Sequence, residues 1–285
     1  MLRLYVARLI ASIVRVGTLR IAKCFLRPLP ASSYVVARRF NGAKLYVDIS
    51  RGNLQQLLWL EGIRYVKEKN LLQSLIKPGM TIMDVGANLG YYALICAECL
   101  KDRGSILCLE PEPANLEELR RNQVNNRLGN LVTIMPVAAG SQNGTIRFRP
   151  GSSGRADAEG SLEVQTITID SLGLGTLDFL KIDVEGYEGA VLDGAVNTIS
   201  RLRPKLFLEL HPWLLTSHTH NEIIKFLTAH YSNVEAYCPI RVRGIRRIFQ
   251  AYGLMPDNFK ISNPAELAKH FRNGAHDPCW IVASC

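Results

Sequence analysis

The feature that most constrains the fold is an alternation, from Met80 onward, of short apolar runs with stretches of helical periodicity. Apolar runs of strand length include TIMDV, SILCLE, LVTIMPVAA, LDFLKID and PKLFLEL, and helical patterns include NLGYYALICAECLKD and NLEELRRNQVNN. Strands that alternate with helices usually pair in parallel, because each helix carries the chain back along a face of the sheet. We therefore predict an α/β fold in which helices cover both faces of a mostly parallel sheet.

The remaining segments complete this outline. YVVARRF and AKLYVDI predict a hairpin, because the Asn41-Gly42 pair between them favours a tight turn. Two helices follow and end before Pro78, and EGAVLDGAVNTISRL predicts a single later helix. TIRFRP and LEVQTITI predict two antiparallel strands, and CWIVAS predicts a last strand. Residues 151–160 are rich in Gly and Ser, and form either a lid or, the alternative we favour, a linker.

The net charge of +9 is located almost entirely at the N-terminus. The first 47 residues hold nine Lys and Arg and no acid, whereas the remainder carries 25 basic and 25 acidic side chains. Because the body of the protein is neutral, we expect no nucleic-acid partner. The one basic patch in the body, IRVRGIRR with Arg241, Arg243, Arg246 and Arg247, is interpreted as a solvated face.

The apolar N-terminal segment is interrupted by arginine too often to span a membrane, which takes about 18 uninterrupted apolar residues. Three interpretations remain: a helix packed on the domain, an interfacial helix that contacts the membrane through residues 1–27, or an organelle transit peptide.

The seven cysteines, an odd number, lie mostly in apolar runs and are typical of reduced thiols. Cys96 and Cys99 form a lone CxxC inside a helical pattern, where packing is expected rather than metal binding. We therefore predict a cytoplasmic protein, either free or peripheral on the membrane.

A glycine-rich loop, DVGANLG, lies at the junction of the first strand and its helix. Glycines there let the backbone approach a ligand, and the helix N-terminus offers unpaired N–H groups. Asp84 precedes the first glycine, and its carboxylate would repel a diphosphate. This loop therefore suits a ligand that carries an amine or sulfonium cation.

Glu110 ends the second strand, 26 residues after Asp84. An acid at that place is suited to accept hydrogen bonds from the two hydroxyls of a ribose. The alternative interpretation is that Glu110 is an acid at the start of the following helix, before Pro111, where it would stabilise the helix dipole. Combined with the glycine-rich loop, Glu110 indicates adenosine binding.

Further polar residues follow the next two parallel strands. Asp183 and Glu185 follow LDFLKI, and Glu209 and His211 end and follow PKLFLEL, all at the sheet edge that carries Asp84. Asp183 ends a buried strand, where an uncompensated carboxylate is unfavourable, so we assign it to a site. Glu185 is either a site residue or a helix-start acid, and Glu188 is interpreted as stabilising its own helix.

These stretches resemble the FkbM family of S-adenosylmethionine-dependent methyltransferases. The likeness runs from about residue 45 to about residue 215, on the blocks DVGANLGYYAL, LEPEPANLEELRRNQVNN, VTIMPVAAGSQNGTIRF, TITIDSL, LDFLKIDVEGYEGAVLDGA and PKLFLELH. It implies a class I methyltransferase (Rossmann-like) fold, a seven-stranded sheet whose last strand, CWIVAS, is reversed. We accordingly divide the chain into a basic segment 1–30, a hairpin with helices 31–77, and a catalytic domain 78–285.

The resemblance also implies binding roles in an S-adenosylmethionine site. Asp84, Gly86, Asn88 and Gly90 would line the methionine part, Glu110 would hold the ribose, and Ala138 and Ala139 would border the adenine. The family often has a Tyr-Glu pair upstream, but RYVKEK departs from it, so its acid is given no role.

Methyl transfer to oxygen requires in-line alignment and removal of a proton from the acceptor. His211 is the expected general base, because the usual pKa of histidine lies near neutrality. Asp183 would orient His211, bind the acceptor hydroxyl, or hold a metal with Glu209; we assign no metal ligands. The family resemblance implies that the acceptor is a sugar, glycolipid or polyketide-like hydroxyl. An RNA or protein methyltransferase is an alternative, and a nicotinamide oxidoreductase is disfavoured because no GxGxxG follows a strand.

Overall fold

The computed structural model describes residues 35–40, 42–61, 66–151, 154–240, 258–273 and 278–285. The predictions for residues 1–30 and for the arginines at 241–247 lie outside the described residues, and peripheral membrane contact through residues 1–27 stays a prediction. Within the described ranges, no helix combines the length and the apolar character that crossing a bilayer requires.

The described chain begins with the expected hairpin. Strands β1 (Val35–Phe40) and β2 (Ala43–Asp48) pair antiparallel, and helices α1 (Asn53–Glu61) and α2 (Val66–Leu75) follow. Arg51 attaches this part to the rest of the chain, since its guanidinium lies 3.1 Å from Glu112 Oε1 and 2.9 Å from Glu118 Oε2.

Alternation of strands and helices then builds the main sheet, as predicted. The elements are β3 (Thr81–Val85), α3 (Tyr91–Leu100), β4 (Ser105–Leu109), α4 (Pro113–Asn125) and β5 (Val132–Met135). The third predicted strand, LVTIMPVAA, is wrong in its length, because β5 ends before Pro136, which has no N–H to donate to a neighbouring strand.

A small second sheet follows β5. Its strands are β6 (Ala138–Ala139), β7 (Gly144–Arg149), β8 (Arg155–Ala156) and β9 (Leu162–Ile167), in the order β6-β9-β7-β8. The pair β7 and β9 is antiparallel, as predicted. The linker interpretation of residues 151–160 is wrong, because β8 pairs with β7 and Gly160 packs directly on the backbone of Phe148.

The chain then returns to the main sheet. The elements are β10 (Phe179–Ile182), α5 (Glu188–Asp193), α6 (Val196–Leu202), β11 (Lys205–Leu210), α7 (His220–His230), β12 (Asn233–Pro239), β13 (Asn258–Ile261), α8 (Pro264–Arg272) and β14 (Cys279–Ser284). The predicted helix EGAVLDGAVNTISRL is divided in two at Gly194, where a Cβ would lie 1.9 Å from the carbonyl oxygen of Gly140.

The main sheet is mixed and has the strand order β13-β12-β14-β11-β10-β3-β4-β5. Strands β3, β4, β5, β10 and β11 are parallel, and β14 runs antiparallel to both of its neighbours. In the part of the chain that the structure describes, the expected seven strands are corrected to eight, because β13 adds an edge strand that lacked a clear apolar pattern in the sequence. Apolar clusters lie on both faces, one with Ile82 and α3, the other with Met83, α6 and α7.

Candidate active site

A cavity opens at the carboxyl ends of β3, β4 and β10, where ligands bind in open α/β sheets. Its empty volume, including the open mouth, is about 1120 Å³. The wall is formed by the loop after β3, by the end of β4, by the second sheet and by the loop after β10. Residues that represent these four parts are Gly86, Glu110, Ala138, Phe148, Asp183 and Glu185.

The two predicted loop glycines have different roles. Gly86 lines the cavity with a φ of +76°, and a Cβ on it would lie 1.9 Å from the carbonyl oxygen of Asp183. Only glycine therefore lets the β3 loop lie against the β10 loop. Gly90, with a φ of +89°, lies outside the cavity lining, and a Cβ on it would lie 2.7 Å from Leu119 Cδ1. Gly90 thus allows α3 to pack on α4.

Glu110 lies in the cavity wall and is held by three donors. Its Oε2 accepts a hydrogen bond from the N–H of Asn88 (2.8 Å), and its Oε1 accepts from the N–H of Glu112 (2.9 Å) and from Asn115 Nδ2 (3.2 Å). Burial raises the pKa of Glu110 to about 7, although these hydrogen bonds oppose the rise. Asn88, Ala138 and Ala139, for which the family resemblance implied binding roles, also line the cavity.

Asp84 is fully buried and contacts a residue that sequence reasoning missed. Lys181, in the middle of β10, places its Nζ 2.9 Å from Asp84 Oδ1 and 3.8 Å from Asp183 Oδ2, and donates to the carbonyl of Gly86 at 3.1 Å. The same Nζ lies 4.4 Å from the ring centre of Tyr92. Asp84 itself lies outside the cavity lining, so its charge faces Lys181.

The pair between Lys181 and Asp84 is electrostatically coupled. Burial alone would lower the pKa of Lys181, but the neighbouring carboxylates outweigh it and raise the pKa above its ordinary value. Burial raises the pKa of Asp84, and the ammonium of Lys181 opposes this rise. A signal for Lys181 was present in the sequence, since FLKI places one charge inside an otherwise apolar strand.

His211 is buried at the end of β11 among carboxylates. Its Nδ1 lies 3.0 Å from Glu188 Oε1, and its Nε2 lies 3.5 Å from Glu185 Oε2 and 3.7 Å from Glu209 Oε1. Burial alone would lower the pKa of His211, but the hydrogen bond to Glu188 and three further carboxylates raise it to about 10. His211 is therefore protonated at neutral pH, and the reason for choosing it as a general base, a pKa near neutrality, does not apply.

The orienting partner of His211 is Glu188, which the sequence assigned to its own helix. Glu188 is fully buried, and its Oε1 contacts His211 and also accepts from the N–H of Gly186 at 3.0 Å. Gly186 in turn accepts from the N–H of Thr216 at 3.2 Å, which brings the loop after β11 onto the loop after β10. Asp183, for which orienting His211 was one of three predicted roles, lies 3.8 Å from Lys181 Nζ and also within 4.8 Å of a ring nitrogen of His211.

Glu209 is fully buried behind the cavity, together with the acid of RYVKEK. The hydroxyl of Tyr92 donates to Glu68 and lies 3.5 Å from Glu209 Oε2. Three possible metal ligands also meet here, since one side-chain atom from each of Asp183, Glu209 and His211 lies within 4.8 Å of the other two.

Comparison with known proteins places this site in a family. The methyltransferase FkbM domain matches residues 84–234, more than half of the chain, and the chain therefore belongs to this family. The match contains the glycine-rich loop, Glu110 and the whole group around His211.

Two relatives of described activity are similar to the chain. One is the hexuronic acid methyltransferase AglP of Haloferax volcanii, 28% identical over 139 residues, which are 46% of this chain and 55% of the relative. The chain thus spans little more than half the length of that protein. The other is the 2-O-methyltransferase NoeI of Sinorhizobium fredii, 28% identical over 188 residues, 53% of this chain and 74% of the relative.

Two solved structures are also similar. A methyltransferase FkbM from Methylobacillus flagellatus has a TM-score of 0.47 at 14% identity, over 80% of this chain and 52% of that one. A precorrin-6y C5,15-methyltransferase from Geobacter metallireducens has a TM-score of 0.44 at 15% identity, over 78% of this chain and 89% of that one.

Proposed function

We propose that the chain is an S-adenosylmethionine-dependent methyltransferase that methylates a hydroxyl of a sugar or sugar-containing acceptor. The observation that carries this proposal is the shared wall of the cavity: the glycine-rich loop and Glu110 form one side, and Asp183 and Glu185 lie beside them. The strand order, with β14 reversed, supports a class I methyltransferase fold to which β13 is an added edge strand. Residues 78–285 would be the catalytic domain.

The cavity residues fit this cofactor chemically. Glu110 offers a carboxylate to the hydroxyls of a ribose, and Gly86, which has no side chain, leaves the cavity open beside it. Ala138 and Ala139 provide a small apolar surface for an adenine ring. When bound, S-adenosylmethionine supplies an electrophilic methyl group on a sulfonium. We assign Asp84 an indirect role, since it fixes Lys181 and with it the position of the Gly86 carbonyl.

The acceptor hydroxyl would meet carboxylates. Asp183 and Glu185 line the cavity, with side chains 12% and 21% exposed. We place the proton-accepting role on this pair, because His211 already holds its own proton. Protonated His211, oriented by Glu188, then positions Glu185 through the contact at Nε2.

The acceptor class is inferred from the named relatives and from one exposed ring. Both relatives are methyltransferases, one named for hexuronic acid and the other for a 2-O position. Trp213 is 44% exposed, and its ring meets that of His211 edge to face at 5.6 Å. Trp213 lies outside the cavity lining, but its exposed flat ring beside His211 offers a stacking surface for the C–H face of a sugar.

Calorimetry with S-adenosylmethionine tests the cofactor site. Glu110→Gln keeps the shape of the side chain but removes its charge, and we expect affinity to fall by about 10- to 100-fold, the value of a hydrogen bond to a charged group. Glu117→Gln is the matched control, because Glu117 is a solvent-exposed acid of α4. Equal affinity in the Glu110 variant and the wild type would refute the site.

Transfer of a labelled methyl group tests the acceptor class. A cell extract is separated into saccharide, lipid, protein and nucleic-acid fractions, and each is incubated with the full chain. We expect label in the saccharide or glycolipid fraction. Label that enters only protein or RNA would contradict the proposed acceptor.

A further inference from the structure

A group of two cysteines and one histidine lies outside the cavity lining. Cys238 is near the end of β12, and Cys279 begins β14; the register that pairs Tyr237 with Trp280 places the two cysteines opposite each other. Both are fully buried, and their sulfurs are 2.6 Å apart. His270 of α8 offers a ring nitrogen, and all three ligand atoms lie within 4.8 Å of one another.

The position of this group along the chain is informative. Cys238 and Cys279 enclose residues 239–278, which contain β13 and α8, and His270 comes from inside that stretch. Cys279 also pairs with Leu210, the residue before His211. A ligand held by all three side chains would therefore fasten α8 to β12 and β14, and β14 is the direct neighbour of the strand that ends before His211.

The three side chains match the preference of one kind of ion. Thiolate sulfur and imidazole nitrogen are the usual zinc ligands, at about 2.3 Å and about 2.0 Å. Atoms bound to one ion lie within about twice these lengths, so the side chains need to shift little, although the two sulfurs must separate by about 1 Å. The ring of His270 is held between Phe259, at 5.2 Å, and Phe271, at 5.7 Å.

We propose that Cys238, Cys279 and His270 bind one zinc ion, or another divalent ion with the same ligand preference. A water molecule takes the fourth coordination position. The half-buried ring of His270 gives the ion and a water molecule access from the surface. A disulfide between the two cysteines is the competing state, and it would involve only two of the three clustered side chains. The ion stabilises the packing of α8 on β12 and β14, because it joins elements that are separate in sequence.

Cobalt titration of the reduced, full-length protein tests the proposal, since cobalt(II) replaces zinc and its thiolate bonds absorb light. We expect one equivalent of cobalt to produce a thiolate-to-cobalt charge-transfer band. The band should disappear in Cys238→Ser and in Cys279→Ser, and His270→Gln should bind at least about tenfold more weakly. Cys108→Ser is the control, because Cys108 is equally buried but lies in β4. A band that persists in Cys238→Ser, or its absence in the folded wild type, would overturn the proposal.

Native mass spectrometry of the unmutated chain keeps the test independent of whether the variants fold. The expected result is one zinc-class ion per chain, removed by acid or a chelator. A chain lighter by two hydrogens, with the Cys238 and Cys279 peptides linked, would show a disulfide and refute the metal site. A chain that carries no ion after incubation with zinc would refute it as well.

Discussion

Lys181→Met is the most informative single change, because it removes the cation that neutralises buried Asp84. Lys181 and Asp84 are each 1% exposed, and their charged atoms are 2.9 Å apart. Methionine keeps the volume and the apolar part of the side chain. Its effect therefore reports mainly on the charge left on Asp84.

The structure sets an upper limit for the loss of stability. Without Lys181, Asp84 either stays charged in the core or takes up a proton, and protonation limits the loss. Starting from an ordinary pKa of 3.8, holding the proton at pH 7 costs about 4 kcal/mol, at about 1.36 kcal/mol per pH unit. This agrees with the roughly 3–5 kcal/mol found when one partner of a buried pair is removed. At pH 5 the same limit is about 1.6 kcal/mol.

The sign of the pH dependence follows from linkage. In the variant, folded Asp84 has a pKa far above its unfolded value, so the folded state binds the extra proton and becomes less stable as pH rises. We therefore expect the deficit relative to wild type to be at most about 4 kcal/mol at pH 7 and at most about 1.6 kcal/mol at pH 5.

Urea unfolding at both pH values, followed by tryptophan fluorescence, measures this deficit. The double variant Asp84→Asn/Lys181→Met removes both charges and should recover most of the loss, with little dependence on pH. Lys225→Met, at an exposed position of α7, is the control and should stay within about 0.5 kcal/mol of wild type. A deficit below about 1 kcal/mol at pH 7, or an equal deficit at both pH values, would refute the coupling.

Three further predictions concern the site. Gly86→Ala should abolish S-adenosylmethionine binding in calorimetry and lower the unfolding temperature, because the added Cβ would lie 1.9 Å from the Asp183 carbonyl oxygen. The control Gly129→Ala, whose added Cβ has no atom within 4 Å, should leave the affinity and the unfolding temperature unchanged. The pKa of His211 is about 10 in the folded protein, compared with an ordinary value of 6.5. The protonated His211 ring therefore contributes its full stabilisation below pH 6.5, and this stabilisation is lost as pH rises towards 10. The free energy of unfolding should therefore fall by about 3–4 kcal/mol more in wild type than in His211→Gln between pH 7 and 10, at about 1.36 kcal/mol per unit, and parallel curves would contradict the assignment. Trp213→Ala should raise the KM for a sugar acceptor without changing cofactor affinity, Trp213→Phe should retain most of the activity, and an unchanged KM in the alanine variant would exclude the stacking surface.

The roles of individual acids show where sequence reasoning ends. Glu188 follows a strand and begins a helix, and nothing local distinguishes a helix-start acid from a partner of His211. The distinction depends on the loop after β11, which is fastened to Gly186 by the N–H of Thr216. Likewise, the ordinary pKa of histidine supports a general base, but most of the carboxylates that keep His211 protonated come from residues 183–188, which only the pairing of neighbouring strands brings beside it.

The sequence by itself determined the succession of strands and helices, the glycine-rich loop and the position of Glu110 at the cavity. These features depend on patterns within a few residues: apolar periodicity, turn residues and acids at strand ends. The tertiary structure alone decided that Lys181 neutralises Asp84, that Glu188 orients His211, and that Cys238 meets Cys279. Each of these contacts joins residues from different elements, and the energy of a charge or a ligand atom depends on distances and burial that only strand register and loop packing set.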